Sequence, residues 1–273
     1  MKILVTGAKG MLGQDLCPIL EDEGYEVIET DIDNLDITNS ENTENVLSSH
    51  KPNYVIHCAA YTNVDKAEED EVNAFKINAQ GTKNIANACK KLGITLIYIS
   101  TDYVFDGEKK GKYLPSDKTN PQNVYGKSKL AGEEYVKTCD KYYIARTSWL
   151  YGHHGKNFVE TMLSLKNKDE LKVVDDQIGC PTWTVELAKG IVELIEEEPP
   201  YGIYHICGSG KTSWFGFAKK IFELMNIEVN LKPCTTAEFP RKAKRPQNSI
   251  MENEGICRNW ETALKEYLEL RCE

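Results

Sequence analysis

Tyr125 and Lys129 stand four residues apart in Pro121-Gln122-Asn123-Val124-Tyr125-Gly126-Lys127-Ser128-Lys129-Leu130-Ala131-Gly132-Glu133, a stretch that reads as the entry to a helix. That spacing puts both side chains on one helical face. The chemistry open to such a pair is proton donation. A free phenol has a pKa of ~10, so a donor working near pH 7 gains from a lowering of roughly three units, about 4 kcal/mol. One ammonium at ~4 Å, at an effective dielectric of ~20, supplies about 4 kcal/mol. A single lysine is therefore a perturbation of the right size. A third polar group, the hydroxyl of Thr101, ends the apolar run Leu96-Ile97-Tyr98-Ile99-Ser100-Thr101. A tyrosine and a lysine at this spacing also recur by chance on helix surfaces, so the pair needs a context.

The N-terminus supplies one. Gly7-Ala8-Lys9-Gly10-Met11-Leu12-Gly13 places glycines at i, i+3 and i+6. A strand-like run, Lys2-Ile3-Leu4-Val5-Thr6, precedes it, and Leu12, Leu16, Ile19 and Leu20 follow at helical spacing. Backbone without Cβ lets a pyrophosphate approach the amides, and the helix N-terminus beyond offers free N–H donors and about half a positive charge. The spacing differs from the commoner G-x-G-x-x-G, but the strand-turn-helix context is the one a dinucleotide site requires. An acid near the end of the second strand is expected on the adenosine ribose. Asp31 fits that place and disfavours a 2′-phosphate, whereas Lys9 inside the loop could accept one, so NADH and NADPH both stay open.

These residues need a scaffold that brings them together. Tyr25–Glu29, Tyr54–Ala59, Leu96–Thr101 and Tyr142–Arg146 read as further strands, the later ones lacking strict alternation, as strands covered on both faces do. Asn78, Thr82, Ile85, Cys89 and Leu92 mark one stripe of a helix that Gly93 ends. Such alternation predicts an α/β fold: a Rossmann-like, doubly wound parallel sheet with ligands at the carboxyl ends of its strands. Residues 1–150 form the expected dinucleotide-binding domain. Residues 151–273 form a smaller C-terminal α/β domain for substrate, with about 172–207 returning to the large sheet. There Leu171–Val174 and Tyr204–Cys207 read as strands, and helices are expected on Val185, Ala188, Ile191, Val192 and Ile195, on Trp214, Ala218, Ile221, Phe222 and Met225, and on Trp260, Leu264, Tyr267 and Leu268. Pro233, Pro240 and Pro246 mark the intervening stretch as surface loops.

Composition narrows the function classes. The chain has 273 residues, 33 Lys and Arg against 42 Asp and Glu, and a net charge of −9, which speaks against non-specific nucleic-acid binding. No apolar run approaches ~18 residues, so no membrane span is expected, and the first residues do not read as a signal peptide. Nine cysteines, Cys17, Cys58, Cys89, Cys139, Cys180, Cys207, Cys234, Cys257 and Cys272, are odd in number and widely spaced, the pattern of free reduced thiols in a cytoplasmic protein. Glu196-Glu197-Glu198 reads as a solvated helix end. His153-His154 reads as a surface loop, because adjacent histidines cannot use helical ligand spacing, and His57 reads as a core or strand-end residue.

The glycine loop, Thr101, Tyr125-x-x-x-Lys129 and Asn78 resemble the extended short-chain dehydrogenase/reductase superfamily. Longer blocks are similar to its dTDP-4-dehydrorhamnose reductase family: Ser100-Thr101-Asp102-Tyr103-Val104-Phe105-Asp106-Gly107, Arg146-Thr147-Ser148-Trp149-Leu150-Tyr151-Gly152, Val64-Asp65-Lys66-Ala67-Glu68, Asp176-Gln177-Ile178-Gly179-Cys180-Pro181-Thr182 and Arg245-Pro246-Gln247-Asn248-Ser249. The resemblance implies NAD(P)H-dependent reduction of the 4-keto group of dTDP-4-dehydro-L-rhamnose. It implies Tyr125 as proton donor, Lys129 on the nicotinamide ribose and Thr101 beside the reacting oxygen. It places Thr101, Asp102 and Trp149 on the sugar. It places Gly7, Gly10, Met11, Leu12, Gly13, Asp31, Asp36, Ile37, Ala59, Ala60, Tyr61 and Asn78 around the cofactor. Some members hold magnesium at a dimer interface through three glutamates. The matching positions here are Asp15 and Glu186, and no third aligns, so no metal site is expected and the homodimer loses that support.

Two other readings share the scaffold. Nucleotide-sugar dehydratases and epimerases are similar, but dehydratases follow Thr101-Asp102 with a glutamate where this chain has Tyr103. The regulatory subunit of methionine adenosyltransferase is similar too and binds nucleotide without catalysis. Fold alone does not separate these.

Overall fold

The computed structural model describes residues 1–253 and 255–271. Cys272 lies outside them; the eight described cysteines are free thiols, all but Cys58 buried. The chain opens β1 (Lys2–Thr6), α1 (Met11–Asp22), β2 (Glu26–Thr30), α2 (Ser40–His50) and β3 (Tyr54–His57). Two short helices, α3 (Val64–Ala67) and α4 (Glu71–Phe75), lead through a π-helical turn (Lys76–Gly81) into α5 (Thr82–Leu92). Then come β4 (Thr95–Thr101), a 3₁₀ turn at Asp102–Val104, α6 (Val124–Val136) and β5 (Tyr142–Thr147). The second half runs β6 (Leu150–Tyr151), α7 (Phe158–Ser164), β7 (Leu171–Val174), β8 (Ile178–Gly179), β9 (Thr182–Trp183), α8 (Thr184–Glu197), β10 (Gly202–His205), β11 (Thr212–Ser213), α9 (Trp214–Leu224), β12 (Leu231–Cys234) and α10 (Trp260–Arg271). No described helix is long and apolar enough to cross a membrane.

Six strands pair in parallel in the order β10-β5-β4-β3-β1-β2. The chain starts at β1, steps out to β2 and returns past β1 to β3. The sheet therefore has its switch point between β1 and β3, where the strand order reverses and a crevice opens at the carboxyl ends. Every residue of β3 is buried, and β4 is nearly so, because helices cover both faces. On one face Leu12, Leu16 and Leu20 of α1 meet Leu187, Ile191 and Ile195 of α8. On the other, Leu47, Ile85, Cys89 and Val136 bring in α2, α5 and α6. A separate aromatic core forms from Tyr151, Trp183, Phe217, Trp260 and Tyr267.

Within the stretch from residue 172, α8 and β10 join the large sheet, whereas β7 pairs in parallel with β12 apart from it. The proline-marked stretch thus contains a strand. Pro233 sits in it because a two-stranded ribbon leaves one side of β12 without a ladder partner, and an edge tolerates a missing N–H. Helix α2 gives little periodic signal, since only Thr43 and Leu47 are buried; Asn39 starts it, its side chain accepting from Asn42 N.

A buried ion pair ties α6 to β5. Arg146 on β5 donates Nε–H and Nη2–H to the two oxygens of Glu133 on α6 at 2.9 and 2.7 Å, and Ser100 on β4 donates to Oε1 at 2.6 Å. Both charged side chains are almost wholly excluded from water, at 1% and 0% exposure. Removing one partner leaves the other charge uncompensated. Arg146→Met is expected to destabilise the fold by about 3–5 kcal/mol, read as a drop in the chemical-denaturation midpoint.

Candidate active site

The turn between β1 and α1 lies directly against the next strand's exit. Gly7 has φ +67°, and a Cβ on it would come within 2.8 Å of Ala59 N; one on Gly13 would meet Ala8 and Gly7 backbone at 2.5 Å. No side chain caps α1 at Gly10, so its first amides point into the crevice free of intrachain caps. That cradle fits a pyrophosphate, and a dinucleotide is the group these residues could hold.

The crevice is a cleft of about 880 Å³. Gly7, Gly10, Met11, Leu12 and Gly13 line it, as do Asp31, Asp36 and Ile37. Ala59 and Ala60 line the middle. Thr101, Asp102, Tyr125, Lys129 and Trp149 gather in the same cleft. Asp31 is held by the loop itself, its Oδ2 accepting from Lys9 N at 3.0 Å, while the Lys9 ammonium pairs with Asp33 at the surface.

Tyr61 and Asn78 stand apart from the other expected residues. Neither lines the cleft. Asn78 is buried and holds the backbone on both sides of Tyr61, its Oδ1 accepting from Tyr61 N at 2.7 Å and its Nδ2 donating to Tyr61 O at 3.0 Å and to Ser128 Oγ at 2.9 Å. Its place is beneath the cleft floor. His57 does similar work. Thr82 donates to Asn78 O at 2.7 Å, so His57 Nε2–H donates to Thr82 and Nδ1 accepts from Thr6, whose oxygen takes Ala59 N. Burial pushes His57 down to about 3, so the ring stays neutral. Cleft residues without a local sequence signal include Thr38, Thr147 and Lys156. Thr147 Oγ1 is buried without a partner, and Lys156 follows the histidines in an exposed loop.

At the reactive end, Tyr125 lies edge-on to Tyr103, ring centroids 5.6 Å apart. Its side chain lines the same cleft as Thr101, which donates to Asp102 Oδ1 at 3.1 Å and accepts from Tyr103 N at 3.2 Å. Burial raises Asp102 to about 6, against hydrogen bonds from Ser249 and Thr101. The electrostatics of the tyrosine–lysine pair reverse the expectation from spacing. Lys129 donates to Ile99 O at 2.7 Å and lies over the Tyr98 ring at 4.1 Å. Burial raises Tyr125 to about 12, opposed by Thr101. Burial lowers Lys129 to about 7, opposed by Glu133. The same desolvation that would strengthen an ammonium's pull also drives off its proton, and here the second effect wins.

A family described as the RmlD substrate binding domain matches residues 1–271. The chain belongs to the RmlD substrate-binding family. It is similar to the crystal structure of a dTDP-4-dehydrorhamnose reductase from Clostridium acetobutylicum, 49% identical with a TM-score of 0.97 over the whole of both chains. It is also similar to one from Bacillus anthracis in complex with NADP, 43% identical, TM-score 0.95, covering 98% of this chain and 99% of that one. A dTDP-4-dehydrorhamnose reductase of Aggregatibacter actinomycetemcomitans is 42% identical over 97% of each chain. A UDP-glucose 4-epimerase from Thermus thermophilus in complex with NAD has TM-score 0.83, with 98% of each chain covered, but is 18% identical and shares the fold alone.

Magnesium does not fit the two RmlD-family positions in this chain. Glu186 is taken up by Arg258, which donates to Oε1 at 2.9 and 2.6 Å and, through its backbone N–H, to Oε2 at 3.1 Å. Asp15 accepts from Thr184 and faces His154 Nε2 at 3.4 Å. The other adjacent histidine, His153, is exposed and stacks on Tyr267. Among the described residues no three acidic, histidine or cysteine side chains could hold a metal together.

Lys129 gives this RmlD-family protein a pH signature. An unfolded lysine keeps its proton to near 10.5, and the folded one releases it near 7. Between those values the unfolded state binds more protons, so this residue makes stability rise with pH across that window. Denaturation of the ligand-free protein at a series of pH values checks it: buried thiols such as Cys17, raised to about 12, pull the other way above about 9, so the share of Lys129 is read as the stability of wild type minus that of Lys129→Met, a difference expected to rise with pH from about 7.

Proposed function

We propose that this chain reduces the 4-keto group of dTDP-4-dehydro-L-rhamnose to dTDP-L-rhamnose with hydride from NADPH or NADH. The observation that carries the reading is the gathering of Tyr125, Lys129 and Thr101 in a cleft that the glycine turn and the α1 N-terminus also line. The dTDP-4-dehydrorhamnose reductases of similar sequence support the substrate. Reduced nicotinamide, bound in the cleft, supplies the hydride. Tyr125 supplies the proton: burial keeps the phenol protonated at neutral pH, and a sugar alkoxide is the stronger base, so transfer runs downhill. Thr101 aims the reacting oxygen, Asp102 accepts from a sugar hydroxyl and Trp149 packs against the ring. Tyr103, in the place where dehydratases carry a glutamate, supplies no carboxylate for elimination.

On this reading residues 1–150, with α8 and β10 returning to them, hold the cofactor, and the aromatic core of 151–273 holds the substrate. Eight free thiols favour a reducing cytoplasm. Lys9, exposed beside Asp31 and Asp33, is the cation placed to meet a 2′-phosphate.

A coupled assay with dTDP-4-dehydro-L-rhamnose and each reduced cofactor, read by absorbance, tests the function. Tyr125→Phe is expected to lower kcat by about 10²–10⁴-fold with NADPH binding retained. A near-wild-type rate in a folded Tyr125→Phe protein would remove Tyr125 as the donor. In the same assay Lys9→Ala is expected to raise KM for NADPH by about threefold and leave KM for NADH nearly unchanged.

A further inference from the structure

Trp149 is the one non-glycine cleft residue, among those described, with a left-handed backbone, at φ +47°. A bulky side chain holds that conformation only where its surroundings impose it. Here they do so from two sides. Its indole lies on the indole of Trp214, ring centroids 3.5 Å apart and planes 3° apart. Aromatic pairs prefer an offset or an edge-on approach to so nearly eclipsed a stack, so neighbouring contacts must hold both rings. Gly179 bounds Trp149: a Cβ there would lie 2.5 Å from the ring. Trp214 opens α9 and packs on Phe158 at 4.6 Å. Its Nε1–H donates to Gln177 Oε1 at 3.2 Å, and the buried Gln177 donates in turn to Thr236 Oγ1 at 2.9 Å. The wall of the cleft is thus set by residues of the second core that do not line it.

We propose that Trp214, anchored by Gln177, is a positioning residue that fixes the Trp149 indole as a flat wall for the apolar face of a deoxysugar. The proposal rests on the reading that Trp149 meets the sugar of a dTDP-deoxysugar substrate. Without the stack, Trp149 is free to leave its left-handed backbone, and the sugar loses its backing while the nucleotide keeps its contacts.

The test uses the NADPH-loaded enzyme with two unreactive probes, dTDP and dTDP-L-rhamnose, and far-ultraviolet circular dichroism. Stacked indoles rotated against each other in plane give an exciton couplet; whatever couplet the wild type shows is expected to be lost to the same extent in Trp214→Phe and Trp149→Phe. By calorimetry, Trp214→Phe is expected to bind dTDP-L-rhamnose about tenfold more weakly, with dTDP and NADPH affinities within about twofold of wild type. In turnover the change falls on KM, with kcat within about threefold. A Trp214→Phe protein that binds dTDP-L-rhamnose as tightly relative to dTDP as the wild type does overturns the proposal. Should Trp214→Phe not fold, Trp214→Tyr, which keeps a flat ring on Phe158, takes its place with the same expected ratio. A wild-type enzyme that binds neither probe instead overturns the substrate reading and this proposal with it; binding of both with an unchanged ratio in the variant overturns the positioning role alone.

Discussion

The carboxylate of Glu133 and the guanidinium of Arg146, shut away from water between α6 and β5, constrain what happens at the cleft. Each ion taken out of water alone costs several kcal/mol, so the pair is tolerable only with both Glu133 oxygens met by Arg146 and Oε1 also by Ser100. That requirement leaves α6 one register against β4 and β5. Tyr125, Lys129 and Glu133 follow one another at intervals of four along α6, and Ser100 precedes Thr101 directly. A clamp at Glu133 therefore sets the phenol opposite Thr101 through a rigid helix. An interaction of doubtful worth for stability has a clear consequence for geometry.

The same exclusion of water governs the charges at the site. Tyr125 is held neutral and Lys129 is brought near the point where it is half-protonated. A lysine in that state responds strongly to its surroundings, because an anion brought into a low-dielectric cleft favours its charged form. By spacing alone the ammonium is a fixed charge acting on the phenol. The folded environment makes that charge conditional, and the Glu133 carboxylate is the main influence opposing its loss.

Much of this was legible in the chain itself, for identifiable reasons. Apolar runs without alternation mark strands covered on both faces, and β1, β3, β4 and β5 are such runs. The glycine turn is legible because its demand is local: backbone passing close to backbone excludes Cβ whatever the rest of the fold does. Tyr125 and Lys129 are legible because four residues on a helix share a face. What stays hidden depends on contacts distant in sequence. Asn78 and Tyr61 belong to the cleft by pattern but serve beneath it, since Asn78 reaches across to Ser128 and to the backbone of Tyr61. Helix α2 buries too few side chains to print a period, and β12 has a proline that argues against a strand until its edge position is known. Thr147 and Lys156 reach the cleft only because β5 and the loop after β6 end there.

The second half of the chain has the greatest share of such hidden content, and the reason is its construction. Its strands are two to four residues long and its core is aromatic, with Trp183, Phe217, Trp260 and Tyr267 packed together instead of a long periodic stripe. Large rings bury much area with few side chains, so short elements suffice and periodicity is weak. Rings also transmit position well: each has a flat face and few torsions, so moving one means moving its neighbour. A cleft wall made of an indole can then be placed by a core some residues behind it, whereas the glycine turn at the opposite end is placed by the backbone directly before and after it. The two ends of one cleft are therefore specified by different physics, close backbone approach for the dinucleotide half and long-range aromatic packing for the half that faces Tyr125.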